Sequence, residues 1–166
     1  MTPLYWILTI VALQRAVELF YAERNARALR KRGAFEAGAV QYPFFVALHL
    51  AWLLAMLLLI PASISPNWYL IGFYALLQAL RLWVLLSLGP RWTTRVLVLP
   101  GTPLVKRGPY RFVRHPNYIV VVLEIAILPL AFGAYWVAGF FTVLNALLLA
   151  WRIRVEDAAL TASHST

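Results

Sequence analysis

The length of the apolar runs decides most about this chain. A helix needs about 20 mostly apolar residues to cross the hydrocarbon of a bilayer. The sequence offers such runs at 3–21, 43–60 and 68–88, followed by a long apolar block over 118–151. Gln14, Arg15 and Glu18 interrupt the first run, His49 the second and Arg81 the third. Gly133 and Ala134 sit in the middle of the long block, just after Pro129. That break predicts two helices, at about 118–132 and 134–152, folded as a hairpin. The expected fold is therefore all-α: a polytopic membrane protein with five transmembrane helices, the last two forming the hairpin, in a single domain over 1–166. Residues 1–88 hold the first three helices and a basic loop, and 89–166 the second basic segment, the hairpin and the tail.

Charge tests this division. The segment 22–42 carries Arg24, Arg27, Arg30, Lys31 and Arg32; the segment 89–117 carries Arg91, Arg95, Lys106, Arg107, Arg111 and Arg114; the tail adds Arg152 and Arg154. With five crossings all of these fall on one face, which the positive-inside rule makes cytoplasmic. The N-terminus is then outside and the C-terminus inside. Residues 22–38 read as a helical extension of the first span, ending near Gly33 and lying on anionic headgroups. The first run lacks a basic leader and a small-residue cleavage site, so it reads as a retained span.

Composition closes off other classes. Only 13% of residues are charged, against roughly a quarter in soluble domains. The net charge of +9 lies between apolar runs rather than on a soluble face, so nucleic acid is not implied. There is no cysteine, which excludes disulfides and thiolate chemistry. His49, His115 and His164 share no ligand spacing, so no metal is expected.

A charge within the hydrocarbon costs several kcal/mol and so requires a partner or a task. Arg15 and Glu18, three apart on one helical face, can pair with each other. Arg81 either snorkels or pairs with an acid on a neighbouring helix. Glu124 has no local cation; it can neutralise Arg81, line a polar pocket or be protonated. His49 reads as a hydrogen-bonded packing residue.

The segment 89–118 is the richest in chemistry. Its prolines and its glycines at 89, 101 and 108 forbid a continuous helix. Its 96–99 stretch is too short to span and is expected to dip into the interface. Irregular backbone at membrane depth is tolerated only near water or a ligand. Tyr110, His115, Asn117 and Tyr118 gather at the mouth of the expected hairpin, whose return brings Glu156 and Asp157 to the same face. Carboxylates, aromatic rings, free backbone and arginines around an apolar cavity suit a cationic ligand together with an amphiphile. No nucleophile triad, P-loop or dinucleotide fingerprint is present.

Gly108-Pro109-Tyr110, then Arg114-His115-Pro116-Asn117-Tyr118, then an apolar hairpin and Glu156-Asp157, resemble the isoprenylcysteine carboxyl methyltransferase family. Leu80-Arg81 before Gly89, and Trp151-Arg152 before Glu156, extend the likeness over about residues 76–160. The runs LQRAVEL (13–19), YPFFVALH (42–49) and RHPNYIVVVLEI (114–125) are similar to a bacterial subgroup associated with type III polyketide synthases, which methylates alkylpyrones.

The resemblance implies an S-adenosylmethionine-dependent methyltransferase of a bacterial cytoplasmic membrane. Backbone at Pro103, Leu104 and Val105, with Tyr110, encloses the adenosine end of S-adenosylmethionine. His115, Pro116, Asn117 and Tyr118 form the other wall, and Glu156 binds the cofactor at its amino group. Arg81 and Arg152 are the catalytic arginines on the substrate side. The acceptor is an anionic oxygen of a lipophilic small molecule, with the readily ionised hydroxyl of an alkylpyrone the leading expectation. A prenylcysteine or a phospholipid is the alternative acceptor. An NADPH-dependent membrane reductase and a non-catalytic adaptor with basic docking loops are the alternatives of other classes. Val120 stands where the family pattern often has glycine, and Asp157 where it often has a second glutamate.

Overall fold

The structure is a computed structural model and describes residues 2–103 and 105–164, with side chains through 161. Its outside is apolar and its inside carries the charges. Phe20 is 77% exposed while Glu124 is 0% exposed. That inversion is what a bilayer selects, since outward apolar side chains lose nothing in lipid.

Helix α1 runs Pro3–Lys31. Its 29 residues rise about 44 Å, well beyond the roughly 30 Å of hydrocarbon, so it projects past one face. Ala22, Asn25, Ala26 and Leu29 continue its buried stripe into that projection. The expected helical extension of the first span is thus present, with one face packed into the bundle. Asn25 donates to the carbonyls of Trp92 (2.9 Å) and Gly89 (3.3 Å), and Tyr21 stacks on Trp92 with centroids 6.0 Å apart.

After α1 comes a feature the hydropathy pattern did not predict. Strand β1, Phe35–Ala37, pairs antiparallel with β2, Val96–Val98, in the register Phe35↔Val98, Glu36↔Leu97, Ala37↔Val96. The helix ends at Lys31, close to the expected Gly33, and the residues that follow it form a two-stranded ribbon with Val96–Val98.

Helix α2 is Tyr42–Leu59 and α3 is Trp68–Leu88. Asn67 caps α3, its side chain accepting from the amides of Tyr69 (3.0 Å) and Leu70 (3.3 Å), which satisfies two otherwise orphaned donors. Helix α4 is Pro116–Ala131 and α5 is Tyr135–His164. Between them Gly133 adopts φ 70°, a left-handed conformation that glycine reaches without steric cost. The amides of Gly133 and Ala134 donate back to Leu130 and Pro129.

Four helices among the described residues are long and apolar enough to cross a membrane: Pro3–Lys31, Ala39–Leu59, Trp68–Arg91 and Tyr135–Thr161. The fifth expected crossing falls on α4. At 16 residues it rises only about 24 Å.

Three layers follow one another along the bundle. Leu4, Leu8, Trp52, Met56, Leu128 and Phe141 form an apolar core near the turns at 60–67 and 132–134. Trp52 Nε1 donates to the Ile125 carbonyl at 3.2 Å within it. Next comes a layer of buried charge. Beyond that, toward the ribbon, the bundle opens.

Candidate functional site

The charged layer joins three helices, α1, α3 and α4. Arg81 of α3 donates from Nε and Nη2 to the two carboxylate oxygens of Glu18 on α1, at 2.7 and 2.6 Å, and from Nη1 to Glu124 of α4 at 3.0 Å. Arg15 bridges the same two carboxylates at 3.0 and 2.7 Å. Gln14 and Gln78 complete the oxygens' shells. The Arg15–Glu18 pair is thus one edge of a larger network, and Glu124 neutralises Arg81 as one of its expected roles had it. Two guanidiniums balance two carboxylates. Arg81 has its charge met by protein, while its side chain and those of Arg15 and Glu18 still border the cavity beyond.

That cavity encloses about 1070 Å³ and is walled by α1, α2, α3, α4, α5 and the 91–115 segment. On its α4–α5 side, Tyr118 Oη donates to Glu156 Oε2 at 2.6 Å, and Arg152 Nε donates to Tyr118 Oη at 3.0 Å. The His115 ring stacks on Tyr118, centroids 5.0 Å apart and 8° from parallel. The Arg152 guanidinium lies over the Phe45 ring at 5.2 Å and the Tyr118 ring at 5.7 Å. Burial pushes the Tyr110 phenol above its ordinary range, and the negative charge of Glu156 adds to the effect. Tyr110 therefore stands as a neutral hydroxyl in this wall.

Arg81, Pro103, Val105, Tyr110, His115, Asn117, Tyr118, Arg152 and Glu156 all line this one space. Leu104 lies outside the described residues. Pro116 is buried and starts α4 without lining the cavity. Asp157 does not join Glu156 there, because it pairs with Arg114 at 2.6 Å. Tyr42 and Phe45, to which the sequence assigns no role, are also in the wall, as is His49, which it reads as a packing residue. An imidazole within an otherwise apolar run was the signal for His49.

The loop that closes the cavity is anchored at several points. Arg91 Nη1 donates to the Pro103 carbonyl at 2.8 Å, and Arg107 Nε to the Ser87 carbonyl at 2.6 Å. Gly108, at φ 57°, packs so closely on the end of α3 that a Cβ there would collide with the Ser87 side chain. A side chain at such a backbone conformation costs about 1–3 kcal/mol before any clash. Gly108→Ala is expected to lower the melting temperature and displace Tyr110. Adding Ser87→Gly should recover part of the loss, and thermal denaturation of the two variants in detergent checks both.

The ribbon forms the rim. Glu36 accepts from Arg30 Nη2 at 2.6 Å and Arg95 Nη1 at 2.8 Å, and Arg95 lies 3.9 Å over the ring of Tyr42. Burial pushes the Glu36 carboxyl up, but the hydrogen bonds and charges of Arg95 and Arg30 outweigh it and hold the group below the ordinary carboxylate range. A depressed folded pKa means that the contribution is fully present above the ordinary carboxylate pKa and is lost as pH falls through the lowered one. Amide exchange at Phe35–Ala37 and Val96–Val98 should therefore speed up on acidification beyond its intrinsic trend, and Glu36→Gln should remove that pH dependence.

The family model for the isoprenylcysteine carboxyl methyltransferase (ICMT) family matches residues 70–162. Uncharacterized protein YpbQ of Bacillus subtilis is 41% identical over 163 residues, covering 95% of this chain and 96% of that protein. An uncharacterized protein of Haemophilus influenzae is 27% identical over 158 residues, covering 89% and 88%. No solved structure matches the chain. The matched stretch holds Arg81, the closing loop, Tyr118 and Glu156, and it exceeds half the sequence: the chain belongs to the isoprenylcysteine carboxyl methyltransferase family.

Proposed function

We propose that the protein is an integral membrane O-methyltransferase that moves a methyl group from S-adenosylmethionine to an oxygen of a lipophilic small molecule, with the hydroxyl of an alkylpyrone as the leading acceptor. The observation that carries this reading is the Tyr118–Glu156 contact, which closes one end of a cavity whose other end is apolar and bordered by arginines. Enzymes of this family use S-adenosylmethionine, and the wall suits that ligand. His115 Nε2 and Asn117 Oδ1 are buried without a hydrogen-bond partner among the described residues. Unpaired buried polar atoms cost about 1–3 kcal/mol each, a cost that a ligand with its own donors and acceptors relieves.

When bound, S-adenosylmethionine supplies an electrophilic methyl group on a sulfonium. Glu156 holds its ammonium group, and the aromatic faces of Tyr118 and His115 favour the neighbouring positive charge. Tyr110 and the backbone at Pro103 and Val105 enclose the adenosine, with Pro116 setting the start of the opposite wall. Arg81 and Arg152 orient the acceptor oxygen. Holding two reactants in line in a site that excludes water supplies most of the acceleration in such a transfer.

The membrane reading extends to all five helices, with α4 and α5 as a hairpin, the N-terminus outside and the basic segments cytoplasmic. The one-sided distribution of arginine and lysine supports it. In detergent, with labelled S-adenosylmethionine and a long-chain alkylpyrone, the expected product is the methyl ether. No turnover there, together with turnover on a prenylcysteine, rules out the pyrone and keeps methyl transfer. No turnover on either, with no donor binding, overturns both.

A further inference from the structure

We propose that Phe45 of α2 positions Arg152 to receive the acceptor as an anion, so that a helix outside the stretch matching the family sets how tightly the acceptor is held. The inference rests on the methyltransfer reading and adds a positioning residue to it.

Arg15, Arg81 and Arg152 are the arginines that the spanning helices bring to the cavity, and their charges are met differently. Arg15 and Arg81 are balanced by Glu18 and Glu124. Arg152 makes no ion pair with a described residue; its Nε donates to the Tyr118 hydroxyl at 3.0 Å. Glu156 lies across that hydroxyl, and in the proposed site it is committed to the ammonium group of S-adenosylmethionine. Arg152 is nevertheless only 9% exposed. A buried guanidinium without a carboxylate is costly, and an anionic oxygen entering the cavity relieves that cost. The readily ionised hydroxyl of an alkylpyrone brings such an oxygen.

Aromatic faces hold the guanidinium for that encounter. It lies 5.2 Å from the centroid of Phe45 and 5.7 Å from that of Tyr118, both within the roughly 6 Å reach of a cation–π contact. Tyr118 and Arg152 belong to α4 and α5, which the turn at Gly133 already joins. Phe45 comes from α2, and its side chain is in the cavity wall. Its neighbour Phe44 meets Trp151, with centroids 6.0 Å apart. Consecutive residues of α2 thus contact consecutive residues of α5, the outer pair exposed and the inner pair at the cavity. This double contact fixes the rotation of α2 against α5, and with it the place of the Phe45 ring beside the guanidinium. A ring attracts the cation through its quadrupole and leaves the charge uncancelled. A carboxylate in the same place would hold Arg152 equally well and repel the acceptor.

The test uses the full-length protein in detergent, with the demethylated donor bound so that no turnover occurs. It reads the affinity for a long-chain alkylpyrone at a pH where the hydroxyl is ionised. Phe45→Leu removes the quadrupole and is expected to weaken acceptor binding about 5- to 30-fold, while donor affinity and melting temperature stay at wild-type values. Phe45→Met repeats the comparison with a second apolar side chain. Phe45→Tyr keeps a ring face and is expected to stay within about threefold of wild type. In an Arg152→Gln background, Phe45→Leu is expected to cost less than about twofold more, because a ring that acts through Arg152 has nothing left to hold. Unchanged acceptor affinity in both apolar variants, an equal loss in the Arg152→Gln background, or an equal loss with Phe45→Tyr overturns the proposal; wild-type donor binding and turnover then leave the methyltransfer reading standing. If the wild-type protein turns over a prenylcysteine instead, the same series is read with that carboxylate, with the same outcomes deciding. Failure of the wild-type protein to bind donor or turn over any acceptor removes both.

Discussion

Arg81→Met is expected to destabilise the protein strongly, and a charge-balanced partner change is expected to restore much of the loss. Arg81 makes three hydrogen bonds to Glu18 and Glu124. Removing it leaves two buried carboxylates sharing Arg15 alone. Breaking one side of a buried ion network typically costs about 3–5 kcal/mol. For a chain of this size, at about 2–4 °C per kcal/mol, that is a fall in Tm of roughly 6–20 °C. The double variant Glu18→Gln/Arg81→Met removes one charge of each sign and leaves Arg15 opposite Glu124, so most of the stability should return. Activity should stay low in both if, as proposed, the Arg81 guanidinium orients the acceptor. Thermal denaturation and turnover, measured side by side, separate the two roles. A double variant as unstable as the single one would show that charge imbalance is not the cause.

Glu156→Gln should do the opposite, weakening ligand binding with little effect on the fold. Glu156 is only partly buried and, among the described residues, its carboxylate accepts from Tyr118 at 2.6 Å. Losing a charge-assisted contact costs about 1.5–3 kcal/mol, roughly a 10- to 150-fold loss of affinity for S-adenosylmethionine. Tyr118→Phe keeps the carboxylate and removes one neutral donor, and should cost only about 0.5–1.5 kcal/mol. Calorimetric titration with S-adenosylmethionine and its demethylated product distinguishes where the carboxylate acts. If it holds the ammonium group, which both molecules carry, the two affinities fall together. A loss confined to the sulfonium form would move Glu156 to the reacting centre. Unchanged affinity for both would remove it from the site.

Much of this architecture could be read from the residues alone, and the part that could not has a common cause. Hydropathy located the long helices, because twenty apolar residues in sequence are a local signal. The turn at Gly133 was equally local. The cavity wall was legible through the ordered set from Gly108 to Glu156, whose ends meet only after the chain has turned back. Glu124 is a different case. Its pairing with Arg15 and Arg81 depends on the relative rotation of α1, α3 and α4, which no spacing within one helix encodes. The ribbon was invisible because three residues are too few to show a period of two, and because Glu36 is held by arginines 6 and 59 residues away. The helical run of α1 to Lys31 was legible but the face it buries was not: Arg24, Arg27 and Arg30 mark its exposed side, whereas Ala22, Ala26 and Leu29 bury the opposite stripe.

The stitching between the two halves of the chain limits what can be exchanged between relatives. The stretch carrying the family pattern borrows a strand partner from Phe35–Ala37, two counter-charges (Arg15 and Glu18) from α1, and an amide from Asn25 to hold the 89–92 corner. It is therefore not a transplantable module. A chimera joined near residue 70 would inherit one parent's arginine and the other's glutamate, and would assemble only where both parents kept the same complementary pairs.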